Sequence, residues 1–298
     1  MGKEKYINPF TDFGFKRLFG SEFNKDLLID FLNQVLDKRE RIRDLTYLNT
    51  EHQGLTEADR RAVFDLYCEN EEGEKFIIEV QNVRQDFFKD RSLFYATFPI
   101  QSQVPKGNDW DYELKAVYMV GILNFSFPDQ TLQERCQREV RLMDSHTHEI
   151  FYEKLTFIYL EMPRFRKNES ELVTHFDKWM YVLKNLHKLQ SRPRKLQERI
   201  FEKLFEEAQI AKLNPTDMKT YQESLKALRD NYSVLETARK EGERVGEKRG
   251  EKRGEKRGEK RGEASAQKRI AKALKDSGVS IEIIERTTGL THKQIETL

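Results

Sequence analysis

Asp65, Glu79 and Gln81 are polar residues at positions where buried strands normally carry apolar side chains. They lie in residues 61–84, RAVFDLYCENEEGEKFIIEVQNVR, which read as two short strands joined by a polar, glycine-containing turn. Strand alternation puts Glu79 and Gln81 on one face with Ile77, while Ile78 and Val80 point the other way. A three-residue turn over 71–73 would pair residues whose numbers sum to 144, setting Asp65 opposite Glu79. Two carboxylates held together repel unless a cation joins them. Oxygen ligands of this kind, completed by water and substrate oxygens, suit Mg²⁺ or Mn²⁺. Such a metal polarises a phosphate oxygen and acidifies a water for attack on phosphorus. Gln81 is no base near neutral pH, but its amide can orient that water or donate to a phosphate oxygen. Strand carboxylates are also often solvated edge residues, and the pattern alone leaves both readings open.

The elements that must position these residues follow from periodicity. Residues 8–20, NPFTDFGFKRLFG, hold Phe10, Phe13, Phe15 and Phe19, which are expected to pack under a first helix capped by Ser21. That helix carries Leu27, Leu28, Phe31, Leu32, Val35 and Leu36 at spacings of three and four. Asp12, Phe13 and Gly14 match the kinase metal-binding triplet by chance, because no glycine-rich loop or strand lysine fits ahead of them. A strand is expected near 45–49, then a loop over 51–60, then the hairpin. Residues 84–98 read as a helix with Phe88, Arg91 and Tyr95 on one face, followed by loop over 101–112. The run LKAVYMVGILNF (114–125) suits a strand buried on both faces, and two more strands are expected at 138–144 and 155–160. His146 and His148 between them lack a third ligand at a recognisable spacing. Leu172, Phe176, Trp179, Leu183 and Leu186 form a helical core stripe.

Charge divides the chain of 298 residues unevenly. Residues 239–298 hold 17 Lys and Arg against 11 Asp and Glu, so a formal total of +2 hides a body of −4 and a tail of +6. The body is therefore no blanket binder of nucleic acid, and contact there must be local. Two cysteines, Cys68 and Cys136, cannot build a disulfide framework or a zinc cluster, and Cys68 is expected to be buried and inert. No apolar run reaches membrane-span length, and the first residues show neither an export signal nor a myristoylation site, so a cytoplasmic protein is expected.

Met218, Tyr221, Leu225, Leu228, Tyr232 and Leu235 follow an a/d heptad spacing, which pairs helices into a homodimer or higher homo-oligomer or else packs on its own domain. GEKR then repeats four times over 246–261, with glycines every four residues from Gly242 to Gly262. Each glycine costs a helix about 1 kcal/mol relative to alanine. Their line drifts about 40° per tetrad around a helix of 3.6 residues per turn. No straight partner could follow it, so a solvated helical spacer is expected. In the last stretch Gly278 and Gly289 end helices, Ser280 caps one, and Thr291 with Gln294 forms a capping box. This is a small helical module for docking, self-association or, by its helix-turn-helix outline, DNA reading with His292, Lys293 and Gln294.

The hairpin resembles the D…E-x-K outline of the PD-(D/E)XK nuclease superfamily, with Gln81 at the last position. More closely, the chain resembles the recombination-promoting nuclease (Rpn) and transposase family of bacteria. The likeness rests on NPFTDFGFKRLFG, DLYCENEEGEKFIIEVQ, RSLFYATFPIQSQVPKGNDWDYELKAVYMVGIL, FDKWMYVLKNL and YQESLKALRD followed by charged glycine tetrads. It implies an α/β, restriction-endonuclease-like core with a mixed sheet flanked by helices over 1–165. A helical region with a candidate coiled-coil seam would follow over 166–240, the GEKR spacer over 241–265 and the helical module over 266–298. It implies Asp65 and Glu79 as metal ligands, Gln81 in the place of the superfamily's lysine, and Arg91 and Tyr95 as phosphate-contacting or helix-packing residues. The implied function is a divalent-metal-dependent DNA endonuclease linked to recombination or mobile elements. Because Gln81 removes a fixed charge, the alternative is a nuclease fold of weak or lost activity that binds DNA through its basic tail. A strand-transferring transposase would need a second acidic cluster, which the sequence does not show.

Overall fold

The computed structural model describes residues 4–36, 41–52, 62–104, 111–128 and 135–298. The chain forms two compact units, Met1–Tyr232 and Ser233–Leu298. In the first, helices α1 (Asp12–Phe19) and α2 (Lys25–Val35) precede strand β1 (Leu45–Tyr47). A minor pair, β2 (Glu51–His52) and β3 (Ala62–Val63), stands apart from the main sheet. Strands β4 (Leu66–Asn70) and β5 (Lys75–Gln81) form the hairpin, and α3 (Phe88–Gln101) leads to β6 (Val117–Leu123). After β7 (Gln137–Met143) and β8 (Ile150–Glu161) come α4 (His175–Asn185) and α5 (Arg199–Glu207). Helix α6 (Pro215–Asp276) begins in this unit and continues into the second.

The main sheet is mixed, as the pattern predicts, with order β1-β4-β5-β6-β8-β7. Pairs β5–β6 and β6–β8 are parallel, and the rest are antiparallel. Parallel central strands bury both faces, and all of β6 except Tyr118 is buried. The face carrying Ile78 and Ile122 packs against α1, α2, α4, α5 and the start of α6. The core stripe meets it there, where Trp179 touches Phe19, Phe31 and Phe201 with centroids 5.2–5.9 Å apart. Its indole Nε1 donates to Asp30 at 2.7 Å. The face carrying Ile77 and Met119 packs against α3.

Several local expectations need adjustment. The aromatic stretch is itself helical, because Thr11 caps α1 by accepting from the Gly14 amide at 3.0 Å. Gly14 is there for close approach, since a Cβ would lie 2.1 Å from the Asn8 carbonyl oxygen. Ser21 makes no side-chain cap; it precedes a short 3-10 turn, and Asn24 stands at the start of α2. Gln101 belongs to α3, and 105–110 of the expected loop lie outside the described residues, as do 53–60 of the earlier one. Within the heptad spacing, Tyr221 is buried and its hydroxyl accepts from the Asn8 amide at 2.9 Å, while Leu225 packs on the same core. Tyr232 and Leu235 are exposed. The first half of that stripe thus covers its own domain.

In the second unit α6 runs through the tetrads, and nothing lies within 4 Å of a Cβ built at any of their glycines. Helices α7 (Ile281–Thr288) and α8 (His292–Glu296) close on the end of α6 around Ala271, Ile284 and Ile295. Gly289 ends α7 and the Thr291–Gln294 capping box starts α8. No described helix is long and apolar enough to cross a membrane.

Candidate active site

The hairpin register is the one the turn length dictates. Leu66 faces Ile78, Tyr67 faces Ile77 and Glu69 faces Lys75, each pair summing to 144. Asp65, just ahead of β4, is the next position in that register and lies against Glu79. The two carboxylates are interlocked through the backbone. The Asp65 amide donates to Glu79 Oε1 at 3.2 Å, and the Val80 amide donates to Asp65 Oδ2 at 2.7 Å. Glu79 is 6% exposed. Burial is the main cause of a pKa pushed up to about 8 for Glu79, and the adjacent Asp65 charge adds to it. Burial likewise raises Asp65, which the Val80 amide and Arg91 partly offset.

Among the described residues Arg91 supplies the cation paired with Glu79. Its Nη2 lies 3.8 Å from Glu79 Oε2 and donates to Gln81 Oε1 at 2.5 Å, while Nη1 donates to Gln85 at 2.7 Å. Gln81 in turn donates from Nε2 to the Val83 carbonyl at 2.9 Å. Both ends of the amide are therefore engaged, and its visible work is to hold a guanidinium beside the carboxylates. Arg91 reaches them because α3 packs close to the sheet at Gly121, the β6 residue paired with Glu79. A Cβ on Gly121 would stand 3.1 Å from Tyr159 and 3.6 Å from Phe88. The guanidinium also lies over the rings of Phe88 and Tyr95, at 5.2 and 5.5 Å. Tyr95 packs edge-on against Phe64 at 5.3 Å, and its pKa is raised by burial and then by the Glu79 charge.

Two further residues act on the pair that the sequence reading passed over. Asp12 raises and Lys16 lowers the Asp65 pKa, and Lys16 also lowers that of Glu79; Asp12 and Lys16 pair with each other at 2.7 Å. They are brought there because Asn82, just past β5, donates to the Phe10 carbonyl at 2.7 Å. The available signal was the Asp12–Lys16 spacing of one helical turn ahead of an acidic hairpin. His146 and His148 sit in the β7–β8 turn, where the Asp144 carboxylate accepts from the His146 and Thr147 amides. Among the described residues no group of three or more His, Cys, Asp or Glu converges as a metal site. Cys68 is buried and its thiol is pushed up by desolvation, as expected of an inert cysteine.

Asp65 and Glu79 fit a hard divalent cation: one half-buried and one buried carboxylate, all-oxygen donors whose repulsion Arg91 and Lys16 only partly relieve. With two protein carboxylates, the rest of the coordination shell is left to backbone, water and substrate.

The profile of the PD-(D/E)XK nuclease family transposases matches residues 9–238. The chain belongs to this family. The match spans the sheet, the interlocked carboxylates and the helices behind them, and it marks a nuclease fold of the kind related to mobile elements. Nucleases of this superfamily generally use divalent metals. No curated protein and no solved structure matches the chain.

Proposed function

We propose that the protein is a divalent-metal-dependent DNA endonuclease whose cuts feed recombination or the movement of mobile elements. The carrying observation is the interlocked Asp65–Glu79 pair within a nuclease-family fold, with Arg91 fixed at its rim. Asp65 and Glu79 would hold the ion. When bound, it supplies positive charge against the phosphate and makes a water acidic enough to attack phosphorus.

The remaining work belongs to the chain. Arg91, whose guanidinium lies 3.8 Å from Glu79, would offset charge developing on the phosphate. It thereby fills the role of the lysine that Gln81 replaces. Gln81 is a positioning residue for Arg91, and the Val83 carbonyl fixes its amide orientation. Tyr95 backs the guanidinium through its ring. This arrangement favours an active enzyme over a fold that lost its chemistry with the lysine.

The test is conversion of supercoiled plasmid to nicked or linear DNA with Mg²⁺ or Mn²⁺ and with chelator. Cleavage only with metal is expected; no cleavage with any divalent ion would overturn the reading in favour of a DNA-binding role. Arg91→Ala is expected to slow cleavage by about 10²-fold, the typical worth of one donor at a developing charge. Adding Gln81→Lys to that variant should recover much of the loss. A double variant no faster than Arg91→Ala would show that the guanidinium does not stand in for the lysine.

A further inference from the structure

The strands β5, β6 and β8 run parallel and end together, and the antiparallel edge strand β7 begins beside them. Register carries a single row across the sheet from Glu79 to Gly121, Tyr159 and Arg138. Arg138 thus stands in the same row as the candidate ligand, three strands away, which is about 14 Å at about 4.8 Å per strand gap. Two rows further on, and so on the same face, the fully buried Glu161 holds two guanidiniums. Its Oε2 accepts from Arg164 Nε at 2.7 Å and from the Phe127 amide at 3.0 Å, and Oε1 lies 3.4 Å from Arg138 Nη2. One carboxylate shared by two arginines leaves a net positive charge fixed at this end of the sheet.

A cleft of about 950 Å³ opens at the same place, lined by five cations, Arg135, Arg138, Arg164, Arg166 and Lys167, against three carboxylates, Glu139, Glu171 and Asp177. Lys167 is paired with Asp177 at 2.8 Å. Arg135 and Arg166 are exposed and have no ion pair or hydrogen bond among the described residues. The cations continue back toward the carboxylates over aromatic rings. Arg138 and Lys89 lie 5.6 and 4.8 Å from the Phe127 ring centre, and the centroid of Phe127 is 6.4 Å from that of Phe88, over which Arg91 lies. On a body of net charge −4, this is a local cationic track that starts at the candidate site. A single small anion would fill only one end of it. A polyanion with regularly spaced charges matches its length.

We propose that the cleft between β7 and residues 164–167 is a phosphate-backbone site for duplex DNA, holding the substrate to one side of the bond to be cut. It rests on the nuclease reading for its substrate. Arg135 and Arg166 make direct phosphate contacts, and Glu161 positions Arg138 and Arg164 behind them.

The experiment is equilibrium binding of a fluorescent DNA duplex to the full chain in chelator, as a function of salt, so that no cleavage is read. Each phosphate contact adds about 0.9 to the slope of log affinity against log salt. Arg135→Ala with Arg166→Ala is therefore expected to reduce the slope by about 1.8. Equivalently, between about 50 and about 200 mM salt the variant should lose about twelvefold less affinity than wild type. The double Lys variant should keep the wild-type slope, and thermal unfolding should be unchanged because both side chains are exposed and unpaired. An unchanged slope in the Ala variant, with DNA held by the tetrad repeat instead, overturns the proposal. A wild type that binds through this cleft yet never cleaves would retain the site and refute the nuclease reading; cleavage with a slope indifferent to both arginines would do the reverse.

Discussion

Asp65→Ala and Glu79→Ala are each expected to slow metal-dependent nicking of supercoiled plasmid by about a thousandfold or more. Charge stabilisation by a bound metal is worth several kcal/mol in the transition state, and each 1.36 kcal/mol is about tenfold in rate. Two carboxylates converge among the described residues, so loss of either leaves one of that pair. The control is stability. A carboxylate whose folded pKa is raised binds more protons in the native state, so it lowers stability as pH climbs from its ordinary value of 4.5 toward about 8. The isosteric Glu79→Gln should therefore be at least as stable as metal-free wild type at pH 8 and above. A large rate loss without a fall in melting temperature assigns the site. Equal nicking by wild type and both Ala variants would remove it.

Metal affinity should rise steeply with pH in the same protein. Near neutral pH the metal-free pair keeps a proton on Glu79, because burial and the Asp65 charge disfavour two ionised carboxylates. An ion must displace that proton. Apparent affinity for Mg²⁺ or Mn²⁺ is thus expected to increase about tenfold per pH unit from about pH 6 to about 8, then level off, with about one proton released per ion below the plateau. Calorimetric titration in two buffers of different ionisation enthalpy measures both quantities. In Arg91→Ala the plateau should begin at higher pH, since the guanidinium lowers the Glu79 pKa. Affinity independent of pH, with no proton release, would mean that the pair is already ionised without metal.

The readable features of this protein are those set over a few residues. Turn length and strand alternation fix which hairpin residues face each other, so the opposition of Asp65 and Glu79 follows from residues 65–79 alone. Helix ends at Gly278, Gly289 and Thr291 depend on backbone sterics and on amides within one turn. The solvated nature of the GEKR helix follows from a glycine line that drifts away from any straight partner.

Longer-range placement was not legible. Gln81 looked like a group for water or phosphate, whereas its amide is taken up by Val83 and Arg91, a meeting that exists only once α3 packs at Gly121. Asp12 and Lys16 act on the pair because Asn82 ties the end of β5 to the N-terminal segment. The row from Glu79 to Arg138 requires the order β5-β6-β8-β7, in which the edge strand is not last in the chain. Local sterics cannot choose such an order. It is selected by which arrangement buries the two sheet faces against α3 and against the remaining helices together. The sequence therefore specified the acidic pair at the open end of the hairpin, and folding supplied the cations around it.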